Sequence, residues 1–275
     1  MLNSLTESDY HFIRDLVYEH SRINLGDGKR ELVFARIGKR MRLNGISSPE
    51  AYCELLRSTQ GLTELGHLID VISTNHTHFF REYAHFEFLQ QVVLPEWRNL
   101  ATGQRMNVWS AASSSGEEPY SIAMALDRWM PRLNLDLDWR ILATDISSRM
   151  LDRAREGSYK ASAVEAIDRD WRSCFNKEKV DGELQYRVKD HIRRKVSYHQ
   201  INLLGKKVPK EATFDLIFCR NVMIYFDRQT QTELIARLQA ALKPGAYLMV
   251  GHSESLGGID HGLRLIRPSI YRKTP

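Results

Sequence analysis

The 275-residue chain is predicted to be an α/β protein: an N-terminal helical domain, then a Rossmann-like sheet with a small antiparallel β-insertion. Three observations predict this. The first part carries apolar residues at helical spacing and no strand pattern. From about Met106 short apolar runs alternate with amphipathic ones, the pattern of strands joined by helices in a mostly parallel sheet. Between Val108 and Ser121, V-W-S-A-A-S-S-S-G-E-E-P-Y-S reads as a strand, a small-residue loop and a helix start, the unit with which such a sheet meets a nucleoside ligand.

In the first part, Thr6 with Asp9 makes a capping-box-like start, and Ile13, Leu16 and Val17 form an apolar stripe. On a helical wheel over residues 30–43, Lys29, Arg36, Lys39 and Arg40 share a face beside Val33, Phe34, Ile37 and Met41, a basic amphipathic helix. Ser48 and Pro49 begin another helix, and Leu65, Leu68, Ile69 and Ile72 mark one more. Residues 76–100 are aromatic and charged rather than rich in Gly and Ser, so they read as a packed connecting helix.

Beyond this linker the spacing predicts strands over 106–111, 141–145, 214–220 and 246–251, with helices over 148–157 and 229–242. Pro119 suits a first helical position, where its missing N–H costs nothing. Residues 184–188 and 195–199 read as two further strands of an antiparallel subdomain within 158–200.

Composition narrows the function. No apolar run approaches the ~18 residues that span a bilayer, and the N-terminus has no signal-peptide pattern, so a cytoplasmic location is expected. Cys53, Cys174 and Cys219 lie far apart without a C-x-x-C, arguing against a disulfide framework or zinc knuckle. His76 and His78 lack the Cys or carboxylate cluster of a metal site, and no metal is expected. The net charge of +5 raises nucleic acid or an acidic protein as partner.

The chemistry points to a nucleoside without phosphates. Glu117 and Glu118 stand at the helix mouth where a pyrophosphate would seek the positive dipole end, and would repel it. Gly116 stands alone where dinucleotide binders carry three glycines. S-adenosylmethionine, with its amino group and sulfonium, fits better. Asp145 ends the second strand, where an acid can accept from both ribose hydroxyls. Glu118 precedes Pro119, a position biased away from helical geometry, which leaves its side chain free to face the cavity. Arg220 and Asn221 follow a buried strand at its ligand-binding end, and the two prolines of base-amine methyltransferases are absent beside Asn221 and Tyr225. G-H-S-E-S (251–255) lacks the second Gly and following helix of a hydrolase nucleophile elbow.

Six blocks in order, S-T-N-H-T-H-F-F-R-E (73–82), W-S-A-A-S-S-S-G-E-E-P-Y-S (109–121), A-T-D-I (143–146), N-L-L (202–204), F-D-L-I-F-C-R-N-V-M-I-Y-F-D (214–227) and G-H-S-E (251–254), resemble the CheR family of chemotaxis-receptor glutamate methyltransferases. The resemblance implies a helical domain over 1–75, a linker over 76–100 and a methyltransferase domain over 101–275. It implies that Asn75, Thr77, Arg81, Glu118, Asp145, Asn202, Leu203, Arg220 and Asn221 line an S-adenosylmethionine pocket. Arg81 and Tyr225 would lie beside the transferred methyl, and the helix bearing Arg36, Lys39 and Arg40 would grip the acidic cytoplasmic helices of a receptor. A cofactor sensor without catalysis would be expected to have lost Arg81 or Tyr225; both are present.

Overall fold

The computed structural model describes residues 4–98 and 103–274; expectations for 1–3, the linker end at 99–100, 101–102 and 275 lie outside them. The chain divides into two compact units, one of residues up to Thr74 together with Tyr225–Gln231, the other of Asn75–Ile224 and the remainder from Thr232.

Among its described residues up to Ser73, the first unit consists of helices joined by loops, without a strand. Helix Glu7–Ser21 starts where Thr6 Oγ1 accepts from Asp9 N, and Pro49–Arg57 where Ser48 Oγ accepts from Ala51 N. Both caps satisfy donors that a helix start otherwise leaves orphaned. These helices pack with Arg30–Leu43 and Gly61–Ile72, and the apolar stripes supply a core that includes Ile13, Val17, Val33, Ile37, Met41, Tyr52 and Leu68. A network of charge fastens it: Arg40 Nε donates to Glu64 Oε1 at 2.8 Å, and Tyr52 Oη donates to the same oxygen at 2.7 Å.

The second unit is built on a seven-stranded sheet. Its strands are β1 (Arg105–Ala111), β2 (Asp138–Asp145), β6 (Val196–Gln200), β7 (Phe214–Cys219), β8 (Leu242–Val250), β9 (Leu263–Arg267) and β10 (Ile270–Lys273), in the order β6-β2-β1-β7-β8-β10-β9. The first five run parallel; β10 and β9 are antiparallel. In β7 all but Asp215 are buried, the continuous burial of a strand covered on both faces. Strand order reverses between β1 and β7, and such a switch point opens a crevice at the carboxyl ends of the strands.

The structure corrects three details. The strand expected over 195–199 is β6, an edge of the main sheet paired parallel to β2, and not part of the subdomain. Half-buried Val196 and Tyr198 pack on the sheet core, and two-residue alternation looks the same in either setting. The separate three-stranded antiparallel sheet consists instead of β3 (Ser158–Lys160), β5 (Glu183–Val188) and β4 (Phe175–Val180) in the order β3-β5-β4. Its β4–β5 hairpin closes on Asp181 and Gly182, φ 50° and 82°, the Asp-Gly pair of a two-residue turn. Pro119 is third in its helix, Glu117–Arg132, which begins directly after Gly116 at φ 99°.

Within residues 76–98, the described part of this segment, only the later part is helical, over Ala84–Phe88 and Leu94–Trp97 with a wide π turn at Leu89–Val93 between them. The turn lies beside Pro95, which has no N–H to return to the helix ladder. Phe79, Phe80, Phe86, Phe88 and Trp97 from this segment are buried in the core of the second unit, with Met106, Phe218 and Met249 of the sheet.

Candidate active site

The crevice at the carboxyl ends of β1, β2 and β7 is lined by loops held in unusual backbone conformations. Ala112 (φ 67°) and Ser114 (φ 48°) follow β1, Asn221 (φ 58°) follows β7, and Phe80 and Glu82 (φ 53° and 54°) lie in the loop before Ala84. Side chains other than Gly adopt positive φ seldom and at a cost; here five such residues gather around one sheet edge. Gly116 is required sterically. A Cβ there would stand 2.8 Å from Tyr159 Oη and 2.9 Å from Ala154 Cβ.

Arg220 is the electrostatic centre. Its side chain is 1% exposed, and Nη1 donates to Glu118 Oε2 at 3.1 Å while Nη2 and Nε donate to Glu82 Oε2 at 3.0 and 3.3 Å. Nη2 also donates to the Arg81 carbonyl. Glu118 Oε1 accepts from Ser110 Oγ at 2.7 Å, and Glu82 Oε1 accepts from Asn221 Nδ2 at 3.2 Å. Burial pushes the Glu118 carboxyl above the ordinary carboxylate range against the pull of Arg220. For Glu82 the same opposition ends the other way: burial raises it, but Arg220 and Asn221 bring it below that range. The cluster holds two carboxylates for one guanidinium.

Asp145 builds the glycine loop. Its Oδ2 accepts from Ser114 N at 2.8 Å and its Oδ1 from Ser147 N at 2.9 Å. Ser114 Oγ donates to the Asn75 carbonyl at 3.2 Å, and Ile201 N donates to the Asp145 carbonyl at 3.0 Å, which sets Asn202 and Leu203 next to the end of β2. Thr77 is half-buried in the loop that joins Asn75 to Arg81. Arg81 Nη1 donates to the His76 carbonyl at 3.0 Å.

The structure thus brings together Asn75, Arg81, Glu118, Asp145, Arg220 and Asn221, with Asn202 and Leu203 alongside. Tyr225 ends a short 3₁₀ turn, Met223–Tyr225, groups with the first compact unit, and accepts from Asn24 N at 2.8 Å through its carbonyl. Two carboxylates escaped the sequence reading, Glu82 and Glu254. The carboxylate of Glu254 accepts from the N–H groups of Asn221, Gly251 and Met223, each at 2.7 Å. Both acids lie in blocks that carry the family resemblance, Glu82 closing 73–82 and Glu254 closing 251–254, but neither block by itself assigns the acid a role.

Of the three basic residues expected to face an acidic partner, two are spent inside the first unit. Arg36 donates to the carbonyls of Val71 and Ser73 at 3.0 and 3.1 Å and to that of Ile72, closing the end of helix Gly61–Ile72. Arg40 pairs with Glu64. A wheel cannot separate a basic residue that meets a neighbouring helix from one that meets solvent. Lys39 is exposed, as are Lys29, Arg42, Leu32 and Leu43.

One group among the described residues, Glu82, His85 and His252, sets three ligand atoms within 4.8 Å of one another. Burial, reinforced by Arg220, pushes His85 down to about 3. No helix among the described residues is long and apolar enough to cross a membrane.

The donor set fits S-adenosylmethionine: bulk-free loops for close approach, Asp145 at the end of β2, and an acid-rich cluster at the start of helix Glu117–Arg132 suited to a cationic ligand. Residues 75–271 match the family model described as CheR methyltransferase, SAM binding domain, and residues 8–73 match CheR methyltransferase, all-alpha domain. A probable chemotaxis protein methyltransferase of Rhizobium etli is 41% identical over 94% of this chain and 97% of its own. Chemotaxis protein methyltransferases of Borreliella burgdorferi and Escherichia coli are 37% and 36% identical, each over 98% of this chain, and over 95% and 93% of their own. This chain therefore belongs to the CheR methyltransferase family and is an S-adenosylmethionine-dependent methyltransferase.

Proposed function

We propose that the protein transfers the methyl group of S-adenosylmethionine to glutamate side chains in the cytoplasmic helical region of chemotaxis receptors, forming methyl esters. The observation that carries this reading is the Arg220 cluster, in which Glu82 and Glu118 face one buried cation; a positively charged donor completes its charge balance. The bound cofactor supplies an electrophilic sulfonium methyl, toward which a glutamate already ionised at neutral pH needs no general base.

The protein's task is then positioning and exclusion of water, which can lower a barrier by roughly 7 to 11 kcal/mol when alignment is near ideal. Asn75, Thr77, Glu118, Asp145, Asn202, Leu203, Arg220 and Asn221 hold the cofactor, and Arg81 orients the receptor carboxylate. Lys39 and Arg42, with Leu32 and Leu43 exposed on the same helix, offer a mixed basic and apolar surface that supplies encounter rate and orientation to an acidic helix pair. The relatives' names as chemotaxis protein methyltransferases support this substrate class.

Incubation with methyl-labelled S-adenosylmethionine and receptor-containing membranes tests the reading. Label should enter receptor protein and leave as volatile methanol in mild alkali, the behaviour of an ester. Alkali-stable label, or label in nucleic acid, would overturn it. Arg81→Ala should lower turnover on the order of 100-fold, the scale of lost alignment, with a much smaller loss of cofactor affinity.

A further inference from the structure

Glu254 is 6% exposed and spends its carboxylate on backbone. Oε2 accepts from Gly251 N and Asn221 N at 2.7 Å each; Oε1 accepts from Met223 N at 2.7 Å and from Ile224 N at 3.4 Å. A carboxylate taken out of water is costly unless its lone pairs are satisfied, and four N–H donors converging on one side chain satisfy them. Three of the four come from the loop after β7, about thirty residues away in sequence. That loop follows Arg220, contains Asn221 at φ 58° and runs on to Tyr225.

Gly251 makes the grip possible. A Cβ at this position would lie 2.6 Å from Asn221 Nδ2, 2.6 Å from Glu254 Oε2 and 3.0 Å from Asn221 N, so any side chain would wedge the carboxylate away from the loop. The two acids divide the work. Glu82 holds the side chains of Arg220 and Asn221, and Glu254 holds the backbone beneath them.

We infer that Glu254, admitted by Gly251, is a positioning residue for methyl transfer, fixing the backbone of Asn221–Ile224 so that Asn221 is presented to the cofactor. This rests on the reading of Asn221 as a cofactor residue. In this role Glu254 acts through the loop, by its hydrogen bonds to the N–H groups of Asn221, Met223 and Ile224. Replacing it by Gln puts an amide NH₂ against N–H donors and loses half the grip while keeping the size.

Calorimetric titration of the full-length protein with S-adenosylhomocysteine, run on wild type, Glu254→Gln, Asn221→Ala and the double variant, tests this, with circular dichroism to verify folding. Glu254→Gln should remain folded and weaken binding by roughly tenfold or more, and the double variant should bind no worse than the weaker single one, as expected for residues acting through one contact. Should Glu254→Gln fail to fold, Gly251→Ala, which keeps the charge and adds only the wedge, takes its place in the same cycle. Wild-type affinity in Glu254→Gln, or losses that multiply in the double variant, would overturn the positioning role. Absence of binding by the wild type, or undiminished binding by Asn221→Ala, would instead overturn the cofactor reading on which it stands.

Discussion

Arg220 shows how one side chain can be both structural and functional. Its guanidinium is almost fully buried between Glu82 and Glu118, and removing one partner of a buried ion pair strands the other charges in a poor solvent. Arg220→Met should therefore destabilise the protein by about 3–5 kcal/mol, read by urea denaturation, and a second change, Glu118→Gln, should recover part of that loss. A cost below 1 kcal/mol, the scale of an exposed ion pair, would mean that the cluster is solvated. Glu82 and Glu254 were not legible as site residues for a related reason. An acid in a charged aromatic stretch and an acid in a small-residue loop have nothing local to mark them; their roles come from donors 139 and 33 positions away.

At the scale of elements, features set by neighbouring residues were legible and those set by distant partners were not. Thr6 and Ser48 cap the helices their side chains can reach, and Gly157 closes helix Ser148–Glu156 in the left-handed conformation. The membership of β6 in the main sheet depends on β2, more than fifty residues earlier, and no local pattern carries it. The fate of Arg36 and Arg40 likewise depends on helix Gly61–Ile72. Glu64 on that helix has a consequence in acid. Burial alone would raise its carboxyl, but hydrogen bonds from Arg40, Tyr52 and Asn44 bring it below the ordinary range. A carboxyl lower in the folded than in the unfolded chain contributes stability that is present above the unfolded value and lost as pH falls through the folded one. Urea midpoints measured downward from about pH 5, above the unfolded Glu value of about 4.3, should fall more steeply in wild type than in Glu64→Gln. Parallel slopes would show that the Arg40–Glu64 pair contributes nothing to acid sensitivity.

At the scale of the whole molecule, the first unit offers an exposed basic and apolar helix face and the second a crevice with acids on its rim. The crevice should bind the donor with or without a receptor present, because the groups assigned to the cofactor all lie within the second unit. Calorimetry of the purified protein with S-adenosylhomocysteine, comparing wild type with Asp145→Asn, is the most direct measurement. The wild type should show one site per chain and the variant an affinity weakened by roughly tenfold or more, the cost of disturbing a charged hydrogen-bonding group at about 1.4 kcal/mol per decade. Equal binding by the two proteins, or none by either, would contradict that expectation.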